Sequence, residues 1–307
     1  MIAHFTRMLV TTFVCCGLST AGAVVVGHRR TGMSAAYQVD GQPCAIQLID
    51  TDRPAENYTL VSKPPFCLRH SAWSPNHRYA ALTPYPRGAL GIAVGRSGRD
   101  WGQVYDVAGV VAIQSSLVWS PDSSQVAFMT DSDDVTVIGT IRMVNGVPDG
   151  PRLFTITDTQ PIPYSSLAWS PDGNSVAFGA NSMPRQQGGQ ELYILNVKDG
   201  SIHRLTTNAY LDDSPSWSPD GKQLVFTSAV AGYNELYVID VATGERRRLT
   251  YYTIGYMPNW SPDGQSIAFE SNLDYNFDLY VIGSNGFKLR RLTFNHSAFG
   301  LYPIWLR

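Results

Sequence analysis

The sequence predicts an all-β chain assembled from one repeated unit, and three observations carry that prediction. A Trp-Ser-Pro frame recurs at Trp73, Trp119, Trp169, Trp217 and Trp260, and a sixth tryptophan, Trp305, continues the series at spacings of 43–50 residues. A period in that range belongs to arrays and propellers, whose units bury their apolar faces against their neighbours. The chain also carries 27 Gly and 19 Pro, the turn formers that short strands need, beside 44% hydrophobic residues for a core. Finally, each full period has room for four strand signals separated by turn chemistry.

The repeat around Trp217 shows these signals most cleanly. They cover 215–218, 223–228, 235–241 and 245–250. Between the first two lies Ser218-Pro219-Asp220-Gly221, with the residue order of a type I turn: Ser first, Pro fixing φ at the second position, Gly at the end. Between the third and fourth lies Ala242-Thr243-Gly244, matched elsewhere by Lys198-Asp199-Gly200 and Ser284-Asn285-Gly286. The six repeating tryptophans read as core residues between sheets, because one indole brings a large apolar area to a single point. Trp101 falls outside the frame. The early repeats depart from it, with Asn76-His77 in place of Asp-Gly and Ser123 in place of the Gly.

Residues 1–30 read as a separate segment, and 31–307 as one folded domain. Met8 to Val26 carries no charge and is flanked by Arg7 and by His28-Arg29-Arg30. A signal-peptide core and a single membrane anchor both fit that length. Either reading places the folded part outside the cytoplasm, periplasmic or at the cell surface, in contact with a membrane only through this segment. Of the four cysteines, Cys44 and Cys67 fall beyond it. The strand-like runs 45–49 and 58–61 bring them to the open end of a hairpin, where a disulfide is feasible in an exported protein; two buried thiols are the alternative. The net charge of -2 and the absence of a dense Lys/Arg cluster argue against nucleic acid as a partner.

The Trp-Ser-Pro-Asp-Gly frame is followed by an apolar strand ending in Phe, then by Glu191-Leu192-Tyr193, Glu235-Leu236-Tyr237-Val238 or Asp278-Leu279-Tyr280-Val281. Each repeat closes on Arg204-Leu205-Thr206, Arg248-Leu249-Thr250 or Arg291-Leu292-Thr293. This pattern resembles the TolB-like, WD-repeat-like β-propeller family over most of residues 70–307. The resemblance implies a six-bladed β-propeller of four-stranded antiparallel blades. Trp305 supplies a first strand with nothing after it, and residues 34–63 supply three strands with no first strand, so the C-terminal strand is expected to pair with these N-terminal strands and close the ring.

In such propellers the first strand of each blade lines the central channel. The resemblance therefore places Arg69, His70, Ser115, Ser165, Asp212, Asp213, Tyr256 and Tyr302 around its mouth, as candidate ligand- or partner-binding residues. The Ser-Pro-Asp-Gly turns and the later Gly turns share one rim, and the variable loops share the other, where binding groups usually lie.

Catalytic patterns are sparse: there is no GxSxG elbow, HExxH helix or P-loop. The acidic run Asp131-Ser132-Asp133-Asp134 suits Ca²⁺ chemically, but a solvated loop is the simpler reading. No catalytic residue, cofactor or metal site is expected. The expected function is that of a monomeric, non-catalytic, exported propeller binding a protein, a peptide or an envelope component, whether lipoprotein or glycan. The alternative is an enzyme built on the same scaffold, a glycan lyase or hydrolase or a peptidase-associated propeller.

Overall fold

The structure is a computed structural model that describes residues 8–12, 33–38, 45–50, 57–61, 67–76, 78–85, 90–96, 100–107, 117–132, 135–156, 159–160, 166–182, 189–230, 232–273, 277–292 and 301–305. Every regular element among the described residues is a strand. Each sheet of a tryptophan repeat contains four strands in chain order, as expected, with a fifth of two residues added in the Trp119 sheet (Val147–Pro148) and in the Trp169 sheet (Thr159–Gln160). They are Cys67–Trp73, Tyr79–Tyr85, Leu90–Arg96 and Asp100–Val107; then Val118–Trp119, Gln125–Ser132, Val135–Val144 and Arg152–Ile156; then Leu167–Trp169, Ser175–Ser182, Gln190–Asn196 and Ile202–Arg204. The last two sheets contain Leu211–Trp217, Gln223–Val230, Tyr233–Asp240 and Arg246–Arg248, and Gly255–Trp260, Ser266–Ser271, Asp278–Gly283 and Arg290–Arg291. The pairings within them are antiparallel.

Successive sheets pack face to face. One apolar cluster joins the Trp73 and Trp119 repeats through Ile92, Trp119 and Phe128, and the next joins the Trp119 and Trp169 repeats through Met129, Trp169 and Phe178. Two more join Trp169 to Trp217 and Trp217 to Trp260. The second strands supply the deepest residues, Phe128, Phe178, Phe226 and Phe269, all at 0% exposure. Burying such a ring contributes about 1.5–3 kcal/mol. In the Trp119 repeat, Gly139 takes the place that Tyr193, Tyr237 and Tyr280 hold opposite this Phe elsewhere. The Phe128 ring fills the space so completely that a Cβ on Gly139 would fall 2.0 Å from it.

Trp119, Trp169 and Trp260 are buried, whereas Trp217 is only half-buried. Beyond packing, the indoles of Trp119, Trp169 and Trp217 donate to the carbonyls of Ala72, Val118 and Ala168 in the preceding repeat, at 3.0, 3.0 and 3.1 Å. These bonds clasp each sheet to the one before it. Among the described residues the buried indole N–H of Trp260 has no partner.

The turn chemistry forms as predicted. Gly221 N donates to Ser218 O at 2.9 Å, Ser218 Oγ donates to Asp220 Oδ1 at 2.6 Å, and Gln223 N donates back to Ser218 Oγ at 2.9 Å. Ser123 adopts the left-handed conformation of the glycine it replaces, with φ 63°. The first strand of the Trp217 repeat starts at Leu211, upstream of the expected 215, because a bulge between Asp213 and Ser216 lets Pro215 stand inside it without breaking the pairing on either side.

The expected ring closure is not what the structure shows. Leu301–Trp305 pairs with Met8–Thr12, while Met33–Gln38, Ala45–Asp50 and Asn57–Val61 form a three-stranded sheet of their own. Met8-Leu9-Val10-Thr11-Thr12 is itself strand-forming, and its backbone satisfies the same edge. No helix among the described residues is long and apolar enough to cross a membrane.

Candidate functional site

The variable rim is organised by the closing Arg-x-Leu-Thr strands and by the carboxylate that begins each third strand. Glu235 is fully buried; it accepts from Arg248 Nη2 at 3.0 Å and from Thr250 Oγ1 at 2.6 Å, and Thr250 Oγ1 in turn accepts from Leu236 N at 2.9 Å. Glu191 repeats this arrangement with Arg204 and Thr206 at 3.0 and 2.6 Å, and Asp278 pairs with Arg291. In each case the carboxylate is 0% exposed while the arginine keeps part of its side chain in water, 27% for Arg248, 37% for Arg204 and 20% for Arg291. The rim therefore shows solvent the cationic member of each pair.

The same carboxylates hold the connections to the next repeat. After Thr206, Asn208 N donates to Glu191 Oε1 at 2.8 Å, Asn208 Nδ2 donates to Asp212 Oδ2 at 2.7 Å, and Tyr210 N donates to Asn208 Oδ1 at 2.7 Å. Ser228 Oγ donates to Asp212 Oδ1 at 2.5 Å. Burial pushes the Asp212 carboxyl above its ordinary value, although its hydrogen bonds from Ser228 and Asn208 oppose the shift.

After Thr250, Tyr252 stands where Asn208 stood, and its N–H donates to Glu235 Oε1. Thr253 Oγ1 donates to Glu235 Oε2 at 3.3 Å, Ser271 Oγ donates to Thr253 O, and Thr227 Oγ1 donates to Gly255 O at 3.4 Å. The backbone is left-handed at Tyr252 and at the β-branched Ile254, with φ 61° and 45°. Such conformations persist only where surrounding bonds hold them, and they concentrate at functional sites. The result is a pinned segment that displays Tyr251 and Tyr252 at 64% and 69% exposure. The Tyr252 ring meets Tyr233 edge-on at 5.5 Å, and the Arg248 guanidinium lies 4.4 Å from the centre of the Tyr251 ring.

Of the residues expected at the channel mouth, Asp212 and Asp213 lie on Leu211–Trp217 and Tyr256 on the adjoining first strand Gly255–Trp260. Asp212 is interior and positions the link around it; Asp213 is partly exposed beside Gly179, and Tyr256 packs near Phe277 with ring centres 6.0 Å apart. Arg69 and His70 lie on Cys67–Trp73, next to an irregular register between Leu68 and His70, and Tyr302 lies on Leu301–Trp305. Ser115, Ser165 and Cys44 fall outside the described residues, as do Asp133 and Asp134 of the acidic run. Cys67 begins the strand Cys67–Trp73. Next to the expected residues, Ser166 and Ser214 both donate to the Met257 thioether, at 3.5 and 3.2 Å, so three successive repeats touch at their first strands.

The exposed pair Tyr251-Tyr252 was absent from the candidate set. Its signal is the aromatic doublet after Arg-Leu-Thr, where the preceding repeat has Thr207-Asn208.

A family model, the TolB beta propeller domain, matches residues 158–257 and 215–305. The putative TolB from Agrobacterium tumefaciens superposes with a TM-score of 0.62 at 19% identity, covering 90% of this chain and 100% of that one. The chain has the β-propeller fold of that protein, and its residues 158–305 match the TolB beta propeller domain. Among curated relatives, the Tol-Pal system protein TolB of Legionella pneumophila is 35% identical over 69 residues, 22% of this chain and 16% of that protein. The matched stretches thus span only 14–16% of the curated relatives' own length. The chain also resembles an oligogalacturonate lyase solved with manganese, with a TM-score of 0.64 at 17% identity over 84% of this chain and 73% of that one. At these identities the solved structures speak for the fold alone.

Proposed function

We propose that this chain is an exported, non-catalytic propeller that holds a protein or peptide partner on its variable rim and channel mouth. The observation that carries the reading is the pinned display of Tyr251 and Tyr252. Exposed aromatics on a rigid frame are the groups that dominate protein interfaces, because little freedom is lost when they are covered. By contrast, the buried carboxylates of the rim have their acceptor capacity taken up by structural bonds, which suits positioning better than proton transfer. The uncharged segment 8–26 supports an extracytoplasmic location, and the TolB relationship supports a protein partner over a nucleic acid.

The test is capture from native envelope extract by the immobilised full chain, compared with an Asp212→Ala, Asp213→Ala double variant whose folding is checked by its melting curve. A partner retained by the wild type and lost by the folded variant supports the reading. Equal retention by both, or turnover of an oligosaccharide or peptide panel by the purified chain, overturns it.

A further inference from the structure

Resting on that reading, we infer that Arg248, Tyr251 and Tyr252 form a docking site for an acidic peptide segment, in which a carboxylate meets Arg248 beside an apolar side chain set against Tyr252 and Tyr233. Three features of the molecule lead to this partner chemistry.

The first is rigidity. The segment from Thr250 to Gly255 is tied down by Glu235, Ser271 and Thr227, and it accepts left-handed backbone at Tyr252 and Ile254. A surface tyrosine without a partner needs no such arrangement.

The second is the remaining hydrogen-bond capacity of Arg248. Its Nε donates to Thr250 O at 2.7 Å and its Nη2 to Glu235 Oε1 at 3.0 Å. The guanidinium is held flat by those two bonds and by the Tyr251 ring at 4.4 Å, and among the described residues its Nη1 has no acceptor. A planar, always-charged donor fixed at the edge of solvent suits a carboxylate better than any neutral group.

The third is charge. Glu235 is hidden and Arg248 is 27% exposed, a division repeated by Glu191 and Arg204 on the neighbouring repeat, so an approaching chain meets cations first. A basic segment would face those guanidiniums with no exposed carboxylate of these pairs to offset them. The perpendicular Tyr233 and Tyr252 rings, 42% and 69% exposed, add an apolar surface beside the charge.

The experiment is selection of a phage-displayed random peptide library on the immobilised full chain, followed by affinity measurement of the selected peptides by fluorescence anisotropy. Enriched peptides should carry Asp or Glu next to an apolar or aromatic residue, and should bind more weakly as salt is raised. Replacing their acidic residue by the amide, or introducing Tyr251→Ala or Tyr252→Asn, should weaken binding at least tenfold, while melting temperature does not fall because both tyrosines are exposed. Enrichment of neutral or basic peptides, no enrichment over an unrelated propeller, or acidic peptides indifferent to both tyrosine changes overturns the inference. A dimer in sedimentation that the same changes dissolve assigns the surface to a second copy and overturns it also. Envelope capture that persists through Tyr251→Ala and Tyr252→Asn but is lost with Asp212→Ala, Asp213→Ala keeps a partner at the expected channel mouth and removes only this site.

Discussion

Residues 206–212 and residues 250–255 are the same connection built twice, and they end with opposite surfaces. Both start from a Thr whose hydroxyl donates to a buried Glu, and both send the second residue's N–H to that Glu. In the first link the second residue is Asn208, whose side chain turns inward to Asp212 and Tyr210 and leaves the link satisfied by its own groups. In the second it is Tyr252, which has nothing to give the interior and points outward. Gly255 occupies the strand position of Asp212, both lying opposite a serine of the second strand, and a Cβ there would come within 3.1–3.2 Å of Leu236 and Phe269. One hydrogen-bonding scheme thus supports either a closed polar link or an aromatic display, the second link being one residue shorter and left-handed at Tyr252 and Ile254.

The comparison can be broken most sharply at its shared anchor. Glu235→Ala and Glu191→Ala each strip a buried acceptor from an arginine, a threonine and a backbone N–H, and each should cost about 3–5 kcal/mol in urea unfolding. If only one of them does, the two links are not equivalent. Asp212→Ala should cost about 1–3 kcal/mol, by leaving Ser228 and Asn208 without acceptors, and has no counterpart in the second link. Among the indoles, Trp217→Phe should cost about 1 kcal/mol beyond the lost packing, since Ala168 O loses its donor, whereas Trp260→Phe removes a buried N–H that bonds to nothing and should cost less.

A pH series separates the links further. The Asp212 carboxyl is raised above 3.8, so its contribution to stability is present at low pH and is lost as pH rises through its folded value. Asp172 and Asp220 in the Ser-Pro-Asp-Gly turns are held below 3.8, chiefly by Ser170 and Ser218, so their contribution is present above 3.8 and lost as acid protonates them. Melting curves should therefore show the wild type gaining on Asp212→Asn as pH is lowered from neutral towards the carboxylate range, and losing on Asp172→Asn below it. The smallest effect belongs to Tyr252→Asn, which places in the second link the residue found at that point of the first. Asn accepts left-handed backbone more readily than Tyr, so thermal unfolding should show no loss of stability and a slight gain.

These residues also show what sequence reasoning reached. The tryptophan period, the Ser-Pro-Asp-Gly turn and the third-strand Glu-Leu-Tyr pattern are local, and each dictated strands and turns that the structure contains. The partnership of Glu235 with Arg248 and Thr250 was visible only as a recurring pattern, because its bonds join the start of one strand to the end of the next. Tyr251 and Tyr252 escaped for a different reason. An aromatic doublet in a β-rich chain reads as core, and only the backbone conformation at Tyr252 sends it outward. The edge that pairs with Leu301–Trp305 escaped as well, since strand propensity in 8–12 is masked by the apolar run around it.

The indole bonds of Trp119, Trp169 and Trp217 all point backwards along the chain, like hooks on successive slats, and the series lapses at Trp260. The seam between the Trp217 and Trp260 repeats is consequently the one of these four that lacks a hook. It is also the seam that carries Tyr251 and Tyr252. A partner lying across those tyrosines would act as an external brace there, so amide hydrogen exchange along Gly255–Trp260 should slow on binding more than in any other first strand.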